Sequence, residues 1–163
     1  MRRLAVGAAI VALLPMLSAC GGGDDDLDAR GRADVLRVAT DRLEALFSYD
    51  AEGLSEDLAE VDGLVTGDLR EEYRDALSGA SGRRIRSLEA SSSATVVDIG
   101  LADADAARPV VLAYLRQTTT TAASPTPAVQ VTAIEATLST VDGAWRVLRL
   151  EPVAGNGASD DDD

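Results

Sequence analysis

The spacing of the apolar residues changes from a helical to a strand pattern near Gly82, and this change constrains the fold most strongly. Before it, apolar side chains recur every three or four positions and predict three amphipathic helices, at residues 34–49, 54–65 and 68–77. After it, β-branched residues predict four strands, at residues 85–101, 108–121, 129–141 and 144–153. Helices grouped before strands indicate an α+β protein, in which three N-terminal helices pack on a four-stranded antiparallel sheet.

Local signals predict where the third helix begins and ends. Asp68 with Glu71 three positions later is typical of a capping box, and Gly79 and Gly82 are expected to end the helix. The basic sequence GRRIR at residues 82–86 is interpreted as the solvated start of the first strand. A contact with an acidic partner is the alternative for these arginines.

Two turns are predicted in the strand-rich half. The dipeptide Asp142-Gly143 is a strong signal for a type I′ turn between the last two strands. The sequence AASPTP at residues 122–127 is predicted to form a polar loop, because proline and small polar residues interrupt strands. The same Ser/Thr/Pro-rich composition is also compatible with O-glycosylation.

The N-terminus has the arrangement of a lipoprotein signal peptide. Arg2 and Arg3 precede an apolar segment at residues 4–17, which is shorter than the roughly 20 residues of a spanning helix. The sequence LSAC at residues 17–20 resembles the lipobox of bacterial lipoproteins. That resemblance implies cleavage between Ala19 and Cys20 and a diacylglyceryl group on the Cys20 thiol. An ordinary cleaved signal peptide and an uncleaved membrane helix are the alternatives.

These features divide the chain into four predicted parts. Residues 1–19 form the signal peptide, and residues 20–27 form a flexible acidic tether that carries the lipidated cysteine. Residues 28–153 form the folded domain, and the acidic residues 154–163 are predicted to be a disordered tail. Two acyl chains suffice for stable attachment to a membrane. The domain is therefore expected at the extracytoplasmic face of the cell membrane.

Composition argues against several classes of function. The net charge is −13 at pH 7, which disfavours nucleic acid because phosphate contacts require a basic surface. The chain contains no histidine, so it lacks the most frequent general base and a common metal ligand. The sequence predicts no metal site, no cofactor and no catalytic activity.

The order of several short motifs resembles the Mce-associated proteins of actinobacteria, from about residue 35 to residue 153. The motifs that carry the resemblance are Phe47-Ser48-Tyr49-Asp50, Thr66-Gly67-Asp68 leading to Tyr73, Gln117 to Thr121, and Gly143-x-Trp145-x-Val147. The resemblance implies an NTF2-like (cystatin-like) cone, a curved sheet wrapped on helices. It also implies an association with Mce complexes, which import lipids and sterols. Many family members carry an uncleaved N-terminal helix where this chain has a lipobox.

These observations lead to three alternative hypotheses for the function. The first is a non-catalytic accessory lipoprotein that docks onto or stabilises an Mce-type import assembly. The second is a module that binds a lipid or another small apolar ligand in its cavity. The third is an isomerase-like enzyme, because an aspartate and a tyrosine in an apolar pocket can perform acid–base chemistry.

The candidate cavity or core residues are four aromatic side chains: Tyr49, Tyr73, Tyr114 and Trp145. Trp145 is expected to cap the core, with ligand stacking as the alternative. Asp98 and Glu135 are the strand acids with apolar neighbours on both sides, and the enzyme hypothesis depends on them. An open cavity with a converging Asp and Tyr hydroxyl would favour an enzyme, whereas a filled interior would favour docking.

Overall fold

The computed structural model describes residues 26–153, and its helices and strands segregate along the chain as the α+β prediction requires. The helices are α1 (Ala29–Phe47), α2 (Leu54–Leu64), α3 (Asp68–Ser78) and α4 (Ala80–Leu88). The strands are β1 (Tyr49–Asp50), β2 (Ser91–Asp103), β3 (Val110–Thr121), β4 (Ser124–Val141) and β5 (Ala144–Pro152). The described chain thus has one helix and one strand more than the sequence predicted.

The strands form one antiparallel sheet in the order β1-β2-β3-β4-β5, with the helices on one face. Shifts in register interrupt the pairing at Val97 in β2 and at Leu148 in β5, where one residue has no partner in the register. Such bulges bend a strand, and they give this sheet its curvature. The core lies between the helices and the inner face of the sheet, where Leu43, Leu115 and Leu138 are fully buried.

Helix α1 supplies most of the helical side of this core. Its buried residues follow the three- and four-residue spacing of one helix face: Val35, Ala39, Leu43 and Leu46. The helix begins at Ala29, five residues before the predicted start. Asp28 is its N-cap, because the Asp28 carboxylate accepts a hydrogen bond from the Gly31 N–H at 2.7 Å. The prediction overlooked this cap because the first helical turn, residues 29–32, contains no large apolar residue.

The prediction that residues 85–88 begin the first strand was wrong, because residues 80–88 form helix α4. Gly82 lies inside this helix rather than ending α3. A Cβ atom at Gly82 would overlap the backbone carbonyl of Leu77, so glycine permits the close approach of α4 to α3. The left-handed residue Glu89 (φ 46°) ends α4. The basic cluster therefore lies on a helix, not on a strand.

The predicted capping box at Asp68 is also wrong. Gly67 is the N-cap of α3, with a φ of 63°, and no side chain caps this helix end. Asp68 and Glu71 instead lie in the first turn, where their negative charge interacts favourably with the helix dipole.

The hairpin between β3 and β4 is longer than predicted. Residues 122–127 were expected to be a loop, yet β4 already begins at Ser124, and Thr121 pairs with Ser124. The prolines at positions 125 and 127 fit because β5 begins to pair with β4 only at Ile134, so this part of β4 is an edge strand. The turn at Asp142-Gly143 was predicted correctly, since both residues have a positive φ (52° and 76°).

Two side chains at the end of α1, one on the helix and one at its C-cap, close the opposite edge of the sheet. β1 pairs with β2 only at Ser91 and Ser92. Beyond that point, the Ser48 hydroxyl accepts from the Ala94 N–H and the Glu44 carboxylate accepts from the Val96 N–H, both at 2.9 Å. Hydrogen bonds of this kind leave fewer free donors for an incoming strand. This edge of β2 is therefore protected from strand addition.

Candidate functional site

The structure brings Tyr49 and Tyr73 to one apolar cavity of about 190 Å³ at the end of α1. Its walls come from α1, β1, α3, α4 and β3. The lining residues are Leu46, Phe47, Tyr49, Tyr73, Ala76, Leu77, Ile85 and Gln117. This site therefore forms where the end of the longest helix meets the start of the short edge strand.

Two polar side chains of the cavity are held by the end of α1. The Tyr73 hydroxyl donates a hydrogen bond to the Leu46 carbonyl at 3.2 Å, and the Gln117 amide donates to the Phe47 carbonyl at 3.3 Å. The last carbonyls of a helix lack partners within the helix. Tyr73 and Gln117 thus satisfy acceptors that would otherwise face an apolar space.

Burial also fixes the protonation state of Tyr73. Because the surrounding protein disfavours the charged phenolate, burial raises the pKa of Tyr73 to about 12. The hydroxyl is therefore a neutral donor at physiological pH. A neutral phenol that is already bonded to a carbonyl is suited to holding structure rather than to removing a proton.

Tyr114 and Asp98 lie elsewhere, on the outer face of the sheet. They are direct neighbours across β2 and β3 at the bulge after Val96. Tyr114 is 43% exposed, and the exposed Asp98 carboxylate accepts from the Ile99 N–H at 3.0 Å. The two side chains border a shallow depression of about 270 Å³ that opens to solvent. The aspartate and tyrosine do converge, but without the burial that an isomerase-like site requires.

Neither Trp145 nor Glu135 lines the tyrosine cavity. Trp145 is half-buried against the core near the start of β5, opposite Thr140. Glu135 is half-buried in β4 and lies opposite Glu151 of β5. The tryptophan position agrees with a residue that caps the core.

Several predicted features fall outside the described residues. Cleavage after Ala19, lipid attachment at Cys20 and the acidic tail at 154–163 belong to this group. Within residues 26–153, no three His, Cys, Asp or Glu side chains are grouped so that they could hold a metal ion. No helix in that range combines the length and apolarity needed to cross a membrane.

Sequence reasoning missed Gln117 as a site residue, although a signal was present. Val111, Ala113 and Leu115 point into the core at two-residue spacing along β3. The same alternation places Gln117 on the inner face, where a polar side chain needs a hydrogen-bond partner. A glutamine that continues an inward-facing apolar pattern therefore indicates a buried acceptor nearby.

Comparison with known sequences gives distant relatives in mycobacteria. No protein-family profile matches the chain. It is 26% identical over 130 residues to the uncharacterized protein Rv1362c of Mycobacterium tuberculosis, covering 80% of this chain and 59% of that protein. It is 29% identical over 130 residues to the outer membrane protein Rv1973 of the same species, covering 77% of this chain and 78% of that protein. The chain therefore spans about three fifths of the first relative.

Comparison with solved structures identifies the fold. An IcmL-like type IV secretion system protein of Legionella pneumophila superposes with a TM-score of 0.64 at 14% identity, covering 76% of this chain and 94% of that one. The periplasmic domain of DotI also gives a TM-score of 0.64, at 13% identity, covering 82% and 100%. These domains share an NTF2-like fold. The chain thus has an α+β, NTF2-like fold, as expected, but with four helices and five strands in the described part.

Proposed function

We propose that this chain is a non-catalytic accessory domain of a multiprotein assembly on the extracytoplasmic side of the cell envelope. The filled interior carries this proposal. Val35, Leu43, Val111, Leu115 and Leu138 all have no exposed surface, so the protein's own side chains occupy the space between helices and sheet. A domain of this kind acts through its outer surface.

The comparisons support the envelope part of the proposal. One relative is named an outer membrane protein, and two structural neighbours are a type IV secretion system protein and a periplasmic domain. The signal-peptide pattern at residues 1–20 agrees with export and anchoring. Anchoring raises the effective concentration of a docking domain near its membrane partners.

The particular assembly that we propose is an Mce-type importer of lipids or sterols. The supporting observation is the order of motifs from Phe47 to Val147. The test is to delete residues 28–153 while keeping the signal peptide and tether. We expect lower lipid import or lower abundance of the Mce proteins, because the docking surface is lost. Unchanged import and abundance would reject the Mce assignment.

Two point variants separate docking from catalysis in the same assay. Asp98→Asn and Glu135→Gln keep the shape of each side chain but remove its charge. If the domain acts by docking, both variants should import lipid at the parental rate. A complete loss of import with Asp98→Asn, at normal protein abundance, would instead favour an enzyme.

A second candidate function is the binding of a small apolar ligand in the cavity beside Tyr73. The supporting observation is its lining, which is mostly apolar. Its volume of about 190 Å³ lies below the roughly 300–1,000 Å³ of typical ligand pockets, so only a small group or one end of a chain fits.

Filling this cavity tests the second function. Ala76→Leu places a larger side chain at the cavity rim, whereas Ala80→Leu makes the same change on an exposed part of α4 outside the lining. A fluorescent fatty acid serves as the probe. Weaker binding with Ala76→Leu alone would support a ligand site. Equal binding by both variants would place the lipid elsewhere.

A further inference from the structure

The β3–β4 hairpin carries an open strand edge. β4 is paired with β3 along this hairpin, but its register with β5 begins at Ile134. The last contact at this edge is the hydrogen bond from the Val153 N–H to the Ala133 carbonyl at 2.9 Å. Within residues 26–153, no strand pairs with this edge between Ala128 and Thr132.

The orientation of the free backbone groups follows from Ala133. Backbone N–H and C=O groups of successive residues alternate between the two edges of a strand. Since the Ala133 carbonyl points toward β5, Val129 and Val131 direct their N–H and C=O groups to the same, open side. Their side chains are 62% and 55% exposed. This short segment thus offers both hydrogen bonds and apolar surface to an incoming strand.

The two edges of the sheet differ sharply. On β2, the Ala94 N–H is bonded to Ser48 at the C-cap of α1, and the Val96 N–H is bonded to Glu44 of α1. On β4, the protection that residues 26–153 provide comes from the prolines at positions 125 and 127, which lack an N–H. The hairpin tip is also fixed in place, because the Leu88 carbonyl accepts from the Ala122 N–H at 3.0 Å.

Charge indicates which strand can add to this edge. Residues 117–134 contain no charged side chain, although the chain has a net charge of −13. Two copies of this acidic protein repel each other over most of their surfaces, but not at this hairpin. Valine and threonine also favour strand pairing, whereas the Gly-, Asn- and Asp-rich residues 154–163 are poor strand formers.

We propose that residues 128–132 pair antiparallel with the same residues of a second copy, about a two-fold axis at Gln130. In this register, Val129 of each copy lies opposite Val131 of the other, and their outward N–H and C=O groups bond reciprocally. The exposed valines of both copies then form one apolar cluster. The pairing continues the sheet across both molecules, and it does not depend on the identity of the envelope partner.

Disulfide formation at the axis tests this register in the full chain. The two Gln130 residues would form a non-hydrogen-bonded pair with Cα atoms about 4.5 Å apart, within the range of disulfides. Gln130→Cys in membranes under mild oxidant should therefore give a covalent dimer. Ser93→Cys, exposed on β2, and the parent chain with only Cys20 are the matched controls. No dimer with Gln130→Cys, or a dimer of equal yield with Ser93→Cys, would overturn the proposal.

A second pair of variants tests the hydrogen bonds. Val131→Pro removes an outward N–H from each copy without removing a bond to β3, and it should lower the cross-linking of Gln130→Cys. Gln130→Glu places two carboxylates opposite each other and should raise the dissociation constant of the dimer several-fold, whereas Ser93→Glu should not. Sedimentation measures both constants. If Val131→Pro fails to fold, the comparison of Gln130→Glu with Ser93→Glu tests the proposal instead. Undiminished dimerisation in the folded variants would overturn the edge pairing.

Two further outcomes identify a different occupant. A cross-link from Gln130→Cys to another protein would show that a foreign strand uses the edge. A dimer that forms only after residues 154–163 are deleted would show that the chain's own tail covers it. Either result overturns self-pairing in the full chain, whereas equal dimer yield with and without the tail supports it.

Discussion

Tyr73 illustrates how one hydroxyl joins two helices. It lies on α3, and its hydroxyl donates to the Leu46 carbonyl near the end of α1, 27 positions away in sequence. The helix end thereby gains a partner that its own backbone cannot supply. The sequence indicated Tyr73 as a cavity or core residue, but the acceptor is a main-chain group that no sequence pattern reveals.

Removing this hydroxyl should destabilise the domain modestly. Tyr73→Phe deletes the donor and leaves a half-buried carbonyl without its partner. We expect a loss of about 1 kcal/mol in the free energy of unfolding, the usual net value of such a bond. Chemical denaturation measures it, with the exposed Tyr114→Phe as the matched control. Equal stability of both variants would contradict a structural role for this bond.

The raised pKa of Tyr73 predicts how stability depends on alkaline pH. The phenol ionises near pH 10 when unfolded, but at about 12 in the folded protein. The fold therefore favours the neutral form, and this contribution is complete below pH 10 and lost as the pH rises toward 12. The parent protein should lose more stability than Tyr73→Phe across this window. Parallel losses in denaturation series at pH 9 to 12 would argue against the shift.

At the scale of elements, α4 shows why glycine is ambiguous in a sequence. Gly79 and Gly82 were both interpreted as helix stops, but Gly79 alone separates α3 from α4. Gly82 is needed because α3 and α4 meet there. That contact belongs to the tertiary structure, so the sequence pattern does not reveal it. The period of the apolar residues predicted α1, α2 and α3, whereas α4 has few apolar positions and a short length, so its pattern was too weak to recognise.

Two glycine substitutions distinguish these roles. At Gly63, in the interior of α2, an added Cβ meets nothing within 4 Å. Gly63→Ala should stabilise the protein by about 0.5–1 kcal/mol, because alanine is the better helix former. Gly82→Ala should destabilise it, since the added methyl overlaps the Leu77 carbonyl. Thermal unfolding of both variants should show a gain of stability for Gly63→Ala and a loss for Gly82→Ala. Unchanged stability of Gly82→Ala would contradict the close packing of α4 against α3.

The strands were predicted better than the hairpin that joins β3 and β4. The β-branched residues predicted β3, β4 and β5, and the Asp142-Gly143 turn was predicted correctly as the connection between β4 and β5. Pro125 and Pro127 argued for a loop because a proline cannot pair on both sides of a strand. They are accommodated because β4 is an edge strand at that point, which depends on where β5 ends. The length of β5, rather than the prolines themselves, therefore decides whether this segment can be a strand.

At the scale of the whole molecule, the residues that stabilise the fold and the candidate binding surfaces lie in different regions. The inner face of the sheet and α1 provide stability, whereas the tyrosine cavity and the β4 edge lie at the periphery. Tyr114, a predicted cavity or core residue, is exposed because it alternates with the inward-facing Ala113 and Leu115 along β3, and Asp98 is exposed beside it because of the bulge in β2. Alternation alone could not locate that bulge, so the candidate site was predicted only in part.

Attachment to the membrane gives the last prediction. The proposed anchor is a diacylglyceryl group on Cys20, beyond the described residues and linked to Asp28 by a short acidic tether. Because two acyl chains hold a protein at a bilayer stably, Cys20→Ala should prevent lipid labelling and move the protein to the aqueous fraction. Ser18→Ala keeps a small residue before the cysteine and serves as the control. Fractionation after labelling with a radioactive fatty acid measures both effects. If Cys20→Ala remains membrane-bound and unlabelled, an uncleaved apolar segment at residues 4–17 is the anchor instead.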